Sequence, residues 1–290
     1  MKKFFFLFIF LLLASGPRLN AAWWLENDYS FGSDSYKRET LTLFHGFSTS
    51  AVAGVSASFI RDNFRYKDEV FAFRLPVSYI SENFFLSLTP FLYPGADVDA
   101  KARGAKLYFM TPLIRRNEEG SYTHLMVSAS GASQEAQILE NQNLKQKKFD
   151  EGSIELQVEK NFYNEFFFLF SGALFRNFDD VRQSSVKNAL MDHSEMAFLG
   201  SFRSFVEIPK HAVSIDFARN MSEESGSQNS YLYAVFSRIA LKEASDISSA
   251  TIGFRSMVTG KSFLSFAYNW HKQDHAKRKD YYKLLFQVFF

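Results

Sequence analysis

The sequence predicts an all-β fold: an antiparallel transmembrane β-barrel of about fourteen strands, with short turns at one end and longer loops at the other. Three observations predict it. Apolar residues alternate with small or polar ones at period two along segment after segment. The connections between these segments tend to alternate between tight and long. After residue 22, no apolar run approaches the ~20 residues that a spanning helix needs.

Taken in chain order, the alternating segments are 23–31, 39–48, 52–62, 70–80, 84–93, 102–112, 122–131, 153–159, 165–177, 195–208, 211–220, 230–241, 249–257, 263–270 and 281–290. In 70–80, Phe71, Phe73, Leu75, Val77 and Tyr79 alternate with Ala72, Arg74, Pro76 and Ser78. In 153–159, Ile154, Leu156 and Val158 alternate with Ser153, Glu155, Gln157 and Glu159. Val213, Ile215 and Phe217 are set against Ala212, Ser214, Asp216 and Ala218; Leu264, Phe266, Tyr268 and Trp270 are set against Phe263, Ser265, Ala267 and Asn269. Side chains on a strand point to opposite faces in turn, so each segment has one greasy face and one small or polar face. A stripe at helical period does not fit these windows.

Residues 48–51, 81–83, 161–164 and 209–210 read as tight turns, whereas 32–37, 94–101, 133–150, 179–194 and 222–229 read as longer polar loops. A soluble β-sandwich also alternates. However, a chain of this length would divide into two sandwiches, and there is no Pro/Gly/Ser-rich linker or shift in composition to divide it. Trp23, Trp24, Tyr93, Phe162, Tyr163, Trp270 and Tyr281 lie near segment ends, where they suit an aromatic girdle at a lipid interface. Each of them taken singly would equally serve as a core residue. Arg61, Arg176 and Arg219 fall on the greasy parity but near segment ends, from which a long side chain reaches the headgroups.

Closure requires an even strand number when both chain ends lie on the same side. The segments above number fifteen. Fourteen is the expectation, with twelve or sixteen as neighbours. Either 23–31 is not a full spanning strand, or a weak strand hides in 133–150 or 179–194.

The first 21 residues read as a signal peptide and 22–290 as the barrel. Met1, Lys2 and Lys3 form a basic start, ten unbroken apolar residues follow from Phe4 to Leu13, and a short polar stretch ends at Ala21. Cleavage after Ala21 or Ala22 is expected, with a retained anchor as the alternative. Removing these residues takes away Lys2, Lys3 and Arg18 and no acid, so the formal charge falls from +2 to −1. No global basicity is left to suggest a nucleic-acid partner. The chain has no Cys, which excludes a disulfide scaffold, a thiolate metal site, a Cys nucleophile and a lipid anchor on Cys.

The last segment carries the most specific pattern. Tyr282, Leu284, Phe286, Val288 and the terminal Phe290 occupy alternate positions, with Lys283, Leu285, Gln287 and Phe289 between them. This resembles the closing strand of bacterial single-chain outer-membrane β-barrel proteins. The resemblance implies a bacterial outer-membrane location, contact with outer-membrane lipid, and recognition of these five residues by the barrel-assembly machinery. The hairpin spacing from Trp23 to Tyr93 is similar to that of YaiO-type barrels.

Chemistry-bearing motifs are few. There is no Gly-rich phosphate loop, His-Glu-x-x-His or Gly-x-Ser-x-Gly. Asp192, His193, Ser194 and Glu195 include the residue types of a serine hydrolase, but adjacent His193 and Ser194 on a strand would face opposite sides. His271, Asp274 and His275 could hold a metal ion, yet they sit in a run of charged residues that reads as a solvated loop. No metal or cofactor is expected. The candidates to line the lumen are Arg74, Lys106, Glu155, Gln157, Glu159, Arg203, Asp216, Arg255 and Lys283. Glu155 and Glu159, four residues apart, would be ~13 Å from each other along a strand, too far to act on one substrate atom. They are expected to pair with Arg74, Lys106, Arg203, Arg255 or Lys283. Small residues at the same parity, among them Gly54, Ser56, Ser58, Ser214, Gly253 and Ala267, would leave room near the wall. The expected function is a porin-like channel of unknown solute, not an enzyme. A closed structural, assembly or surface-binding barrel is the alternative, and a barrel-embedded lipid-modifying hydrolase is third.

Overall fold

A computed structural model of the chain describes residues 22–61, 70–94, 101–140, 143–163, 165–177, 209–221, 230–241, 245–259, 261–273 and 277–290. Its strands in chain order are β1 (Trp23–Gly32), β2 (Lys37–Gly46), β3 (Ala51–Arg61), β4 (Val70–Arg74), β5 (Val77–Ile80), β6 (Phe85–Tyr93), β7 (Lys101–Ile114) and β8 (Tyr122–Glu140). They continue with β9 (Asn143–Phe162), β10 (Phe166–Asn177), β11 (Pro209–Asn220), β12 (Ser230–Leu241), β13 (Ile247–Thr259), β14 (Ser262–Gln273) and β15 (Lys279–Phe289).

All are antiparallel to their neighbours, and the sheet closes on itself because β1 pairs with both β2 and β15. β4 and β5 are two halves of one stave. Arg74 is opposite Phe91 and Val77 is opposite Leu88 in unbroken register, and β3 shows the same continuity in Ser56 opposite Arg74 and Ala53 opposite Val77. The gap falls at Leu75 and Pro76, where proline has no N–H to give to the ladder; the Pro76 carbonyl still accepts from Gly54 at 2.8 Å. The wall therefore has fourteen staves, an even number that puts both chain ends at one rim. That terminal rim is sealed by Phe290 N–H donating to the Trp23 carbonyl at 2.9 Å.

One of the fifteen alternating segments, 195–208, lies outside the described residues. β10 pairs directly with β11 from Phe166 opposite Arg219 to Leu174 opposite His211, so no stave stands between them. Neither explanation offered by the sequence for the odd count holds: β1 is a full stave, and no extra strand completes the ring. β11 also begins at Pro209, where a tight turn was expected. β10 ends and β11 begins at the far rim, and β11 ends and β12 begins at the terminal rim; 222–229, read as a longer loop, lies outside the described residues.

Residues 133–150 correct a second expectation. In place of a loop, β8 and β9 run to nineteen and twenty residues and stay paired up to Glu140 opposite Asn143. A membrane-spanning strand needs only ~9–11 residues. β7 follows β8 no further than Glu135, and β10 follows β9 no further than Glu151, so the end of this hairpin stands beyond the far rim as a two-stranded ribbon.

Outward faces carry the exposed apolar side chains, among them Phe71, Leu88, Ile154, Phe170, Ile215, Phe236, Ile252 and Phe266. These belong in hydrocarbon, and with the strands paired on both sides in a closed wall they can lie there. Inside, the one apolar cluster among the described residues is Ala173, Ala212, Ile239, Leu241 and Ile247, near the far rim of β10 to β13. Tyr93 and Tyr281, expected in a girdle, are buried on the inner side because they share parity with Phe91 and Lys283.

Candidate functional site: the inner wall

Directly opposite residues on paired strands share a face, so one inward residue fixes the parity of its neighbour. From Lys283 the inward set passes through Ser30 on β1, Arg38 on β2 and Ile60 on β3. Ser56, at the parity of Ile60, leads to Arg74, then Phe91 and Gly104. Lys106, at the parity of Gly104, leads to Ser130 and Ser153. Glu159 leads through Leu169, Asp216 and Val235 to Thr251. Arg255 leads through Ser265 to Leu285 and so returns to Lys283. Arg74, Lys106, Glu155, Gln157, Glu159, Asp216, Arg255 and Lys283 all fall on this face; Arg203 lies outside the described residues.

The inward charges are held in three ways. The Lys283 ammonium sits 2.7 Å from the Asp28 carboxylate, both about one-fifth exposed. Arg255 donates to the Gln287 carbonyl oxygen at 2.6 Å, and the Gln287 amide nitrogen donates onward to Glu26 at 2.5 Å. The same guanidinium donates to the Tyr231 hydroxyl at 3.3 Å and lies 4.8 Å from the Phe263 ring centre. Across the barrel, Glu155 is only 1% exposed and accepts from Ser128 at 3.2 Å and Gln157 at 2.6 Å. Glu159 meets His124 at 3.5 Å. Asp216 accepts from Ser214 at 3.2 Å, and Arg74 donates to Ser58 at 3.1 Å and Tyr93 at 3.3 Å.

Glu155 and Glu159 were expected to pair with Arg74, Lys106, Arg203, Arg255 or Lys283, but the contacts they make here are with Ser128 and Gln157 for Glu155 and with His124 for Glu159. Glu155 feels the field of Lys106 on a neighbouring hairpin, while Glu159 faces a histidine. Sequence reasoning missed Glu26, Asp28 and Arg38. The first two carried a signal, since Glu26, Asp28 and Ser30 alternate with Leu25, Asn27 and Tyr29.

Between the walls lies a cavity of about 480 Å³. Glu159 and Asp216 reach it from β9 and β11, Arg255 and Lys283 from β13 and β15, with Leu169, Tyr231, Tyr233 and Leu285 among its other walls. Both signs of charge thus meet one space from different sides.

On the closing strand, Tyr282, Leu284, Phe286 and Phe290 are exposed on the outer face, and Val288 is half-buried opposite Leu25. His193 and Ser194, and Asp274 and His275, lie outside the described residues. Among the described residues, no group of three or more His, Asp or Glu side chains is placed to hold a metal ion.

No protein-family model matches the sequence, and no curated protein matches it. Solved structures do. The chain is similar to CymD, a monoaromatic hydrocarbon channel, with a TM-score of 0.57 at 10% identity, over 94% of this chain and 89% of that one. It is similar also to OccK8 (OprE) of Pseudomonas aeruginosa, with a TM-score of 0.50 at 7% identity, over 93% of this chain and 97% of that one. These matches do not test the YaiO-type likeness of the N-terminal half. At such identities the likeness is one of fold, and the fold is that of the porins and channels that cross bacterial outer membranes as closed antiparallel β-barrels.

Proposed function

We propose that the protein is a passive channel for small polar solutes, standing in the outer membrane with its terminal rim toward the periplasm. The observation that carries this reading is the cavity itself. Four ionisable side chains, Glu159, Asp216, Arg255 and Lys283, open onto one space inside the wall. Charged groups that open onto a space are kept at low cost where that space holds water, because an ionised group taken out of water is costly even when it has a partner. The same groups facing water in a pore are cheap to keep and act on whatever passes. The likeness to CymD and OccK8 supports the fold of a channel; what those proteins conduct belongs to them.

Conductance of the full barrel in a planar bilayer under a salt gradient tests this. A stepwise ionic current is expected. Glu159→Gln removes a negative charge that faces the cavity and should move the reversal potential toward anion preference. Glu155→Gln, at a side chain only 1% exposed, should leave the reversal potential in place. A barrel that is folded, as judged by heat-modifiable gel mobility, and carries no current overturns the reading in favour of a closed barrel.

A further inference from the structure

We infer that the lumen cavity is a selective site for small zwitterions with an apolar body, the chemical class of amino acids and short peptides. This rests on the channel reading and names the solute of that same site. The cavity has two poles. Glu159 and Asp216 form an acidic pole on β9 and β11; Arg255 and Lys283 form a basic pole on β13 and β15. Asp216 and Lys283 stand four staves apart, ~19 Å along the wall at ~4.8 Å per stave, and their side chains reach inward from both ends of that arc. Between the poles, on β12, the wall is Tyr233 and Val235, while Leu169 lies within the acidic pole and Leu285 within the basic one. A volume of about 480 Å³ lies in the range of pockets that hold small organic molecules, ~300–1,000 Å³.

Neither pole favours an ion of single sign. An anion drawn to Arg255 finds Lys283 already matched by Asp28 at 2.7 Å, and Arg255 tied through Gln287 to Glu26. It also meets the field of two carboxylates across the space. A cation drawn to Asp216 meets the opposite field from Arg255 and Lys283. A solute with both charges lowers its energy at both poles together, and its apolar body lies against the aromatic middle. One polar group is left with capacity for it. The Asp216 carboxylate has Ser214 as its one hydrogen-bond donor among the described residues, although a carboxylate can accept several.

The test uses the full barrel in planar bilayers, with alanylphenylalanine as the zwitterion, and its N-acetyl and C-terminal amide forms as anion and cation of nearly the same size. Open-channel current should be blocked by the zwitterion at about tenfold lower concentration than by either derivative, the loss expected when one charge-assisted hydrogen bond is forgone. Asp216→Asn should weaken block by the zwitterion and by the amide but not by the N-acetyl form; Arg255→Gln should do the reverse for the two derivatives. Equal block by all three compounds in a conducting barrel overturns this inference and leaves the channel reading standing. If the folded barrel carries no current, calorimetric titration of the detergent-solubilised protein with the same compounds decides: preference for the zwitterion keeps the site, and absence of binding removes it. If Arg255→Gln does not fold, the three compounds on the unaltered barrel, with Asp216→Asn, still separate these outcomes.

Discussion

β10 offers the sharpest trial of the inward and outward assignment, because the same new residue can be placed on each face one position apart. Phe170 is 50% exposed on the outer face. Leu169 faces in, directly opposite Glu159 on β9 and Asp216 on β11. Phe170→Lys takes a ring out of hydrocarbon, about 2–3 kcal/mol, and puts an ammonium near mid-membrane, about 2–4 kcal/mol. The sum, about 4–7 kcal/mol, is comparable to the whole stability of many folded domains, ~5–15 kcal/mol. Leu169→Lys forfeits about 2 kcal/mol of apolar contact. In return its ammonium lies between two carboxylates, each capable of about 4 kcal/mol at ~4 Å in a medium of effective dielectric ~20, less what desolvation takes back. The variant should stay within about 2 kcal/mol of the parent. Urea unfolding in lipid vesicles, followed by heat-modifiable gel mobility, measures both. Equal losses, or a larger loss for Leu169→Lys, would refute the parity of β10 and with it the shared inner face of Glu159 and Asp216.

Lys283→Met should destabilise the barrel by about 2–3 kcal/mol, somewhat under the ~3–5 kcal/mol for orphaning a fully buried charge, because Asp28 is about one-fifth exposed; adding Asp28→Leu should restore most of the loss in the same urea titration. Gly253→Ala should cut single-channel conductance, because a Cβ there would run into the Tyr233 ring and push that ring into the cavity it lines; an unchanged conductance would show that Tyr233 yields elsewhere.

Period-two alternation located nearly every stave, because lipid outside and a polar interior demand opposite characters of successive residues. Val70–Arg74 and Val77–Ile80 were legible as one strand despite Pro76 for that reason. Where the demand stops, so does the signal. Residues 133–150 read as a loop because Gln134, Glu135, Gln137, Asn143, Lys145, Gln146, Lys147 and Lys148 leave no greasy parity in the sequence. The count failed at 195–208 because alternation marks a possible strand but does not say which strand pairs with which. β10 and β11 find each other through Phe168 opposite Phe217 and the Ser171–Ser214 hydroxyl contact at 2.8 Å, across a long gap in sequence. Tyr93 and Tyr281 take the core alternative rather than the girdle, because parity, not nearness to a segment end, decides which way a side chain points.

The inner wall explains why so many charges are tolerated in a chain whose outer face is so apolar. Among the described residues, inward charges fall in sectors around the ring: Glu26 and Asp28 on β1; Arg38, Arg74 and Lys106 on β2, β4 and β7; Glu155, Glu159 and Asp216 on β9 and β11; Arg255 and Lys283 on β13 and β15. Each sector meets one of opposite sign at its border. Lys283 reaches Asp28 across the β1–β15 seam, Arg255 reaches Glu26 through Gln287, and Lys106 acts on Glu155 across β8. A charge satisfied by its neighbour within the wall need not be covered by a plug of side chains from the centre, so the lumen can keep open space. The seam where the last strand meets the first is therefore closed by backbone pairing and also by a charge match that a strand in the wrong register would lose, since a one-residue slip of β15 would turn Lys283 and Gln287 into lipid. Lys283 serves both closure of the ring and the polarity of the cavity, and Arg255 joins the two through Gln287.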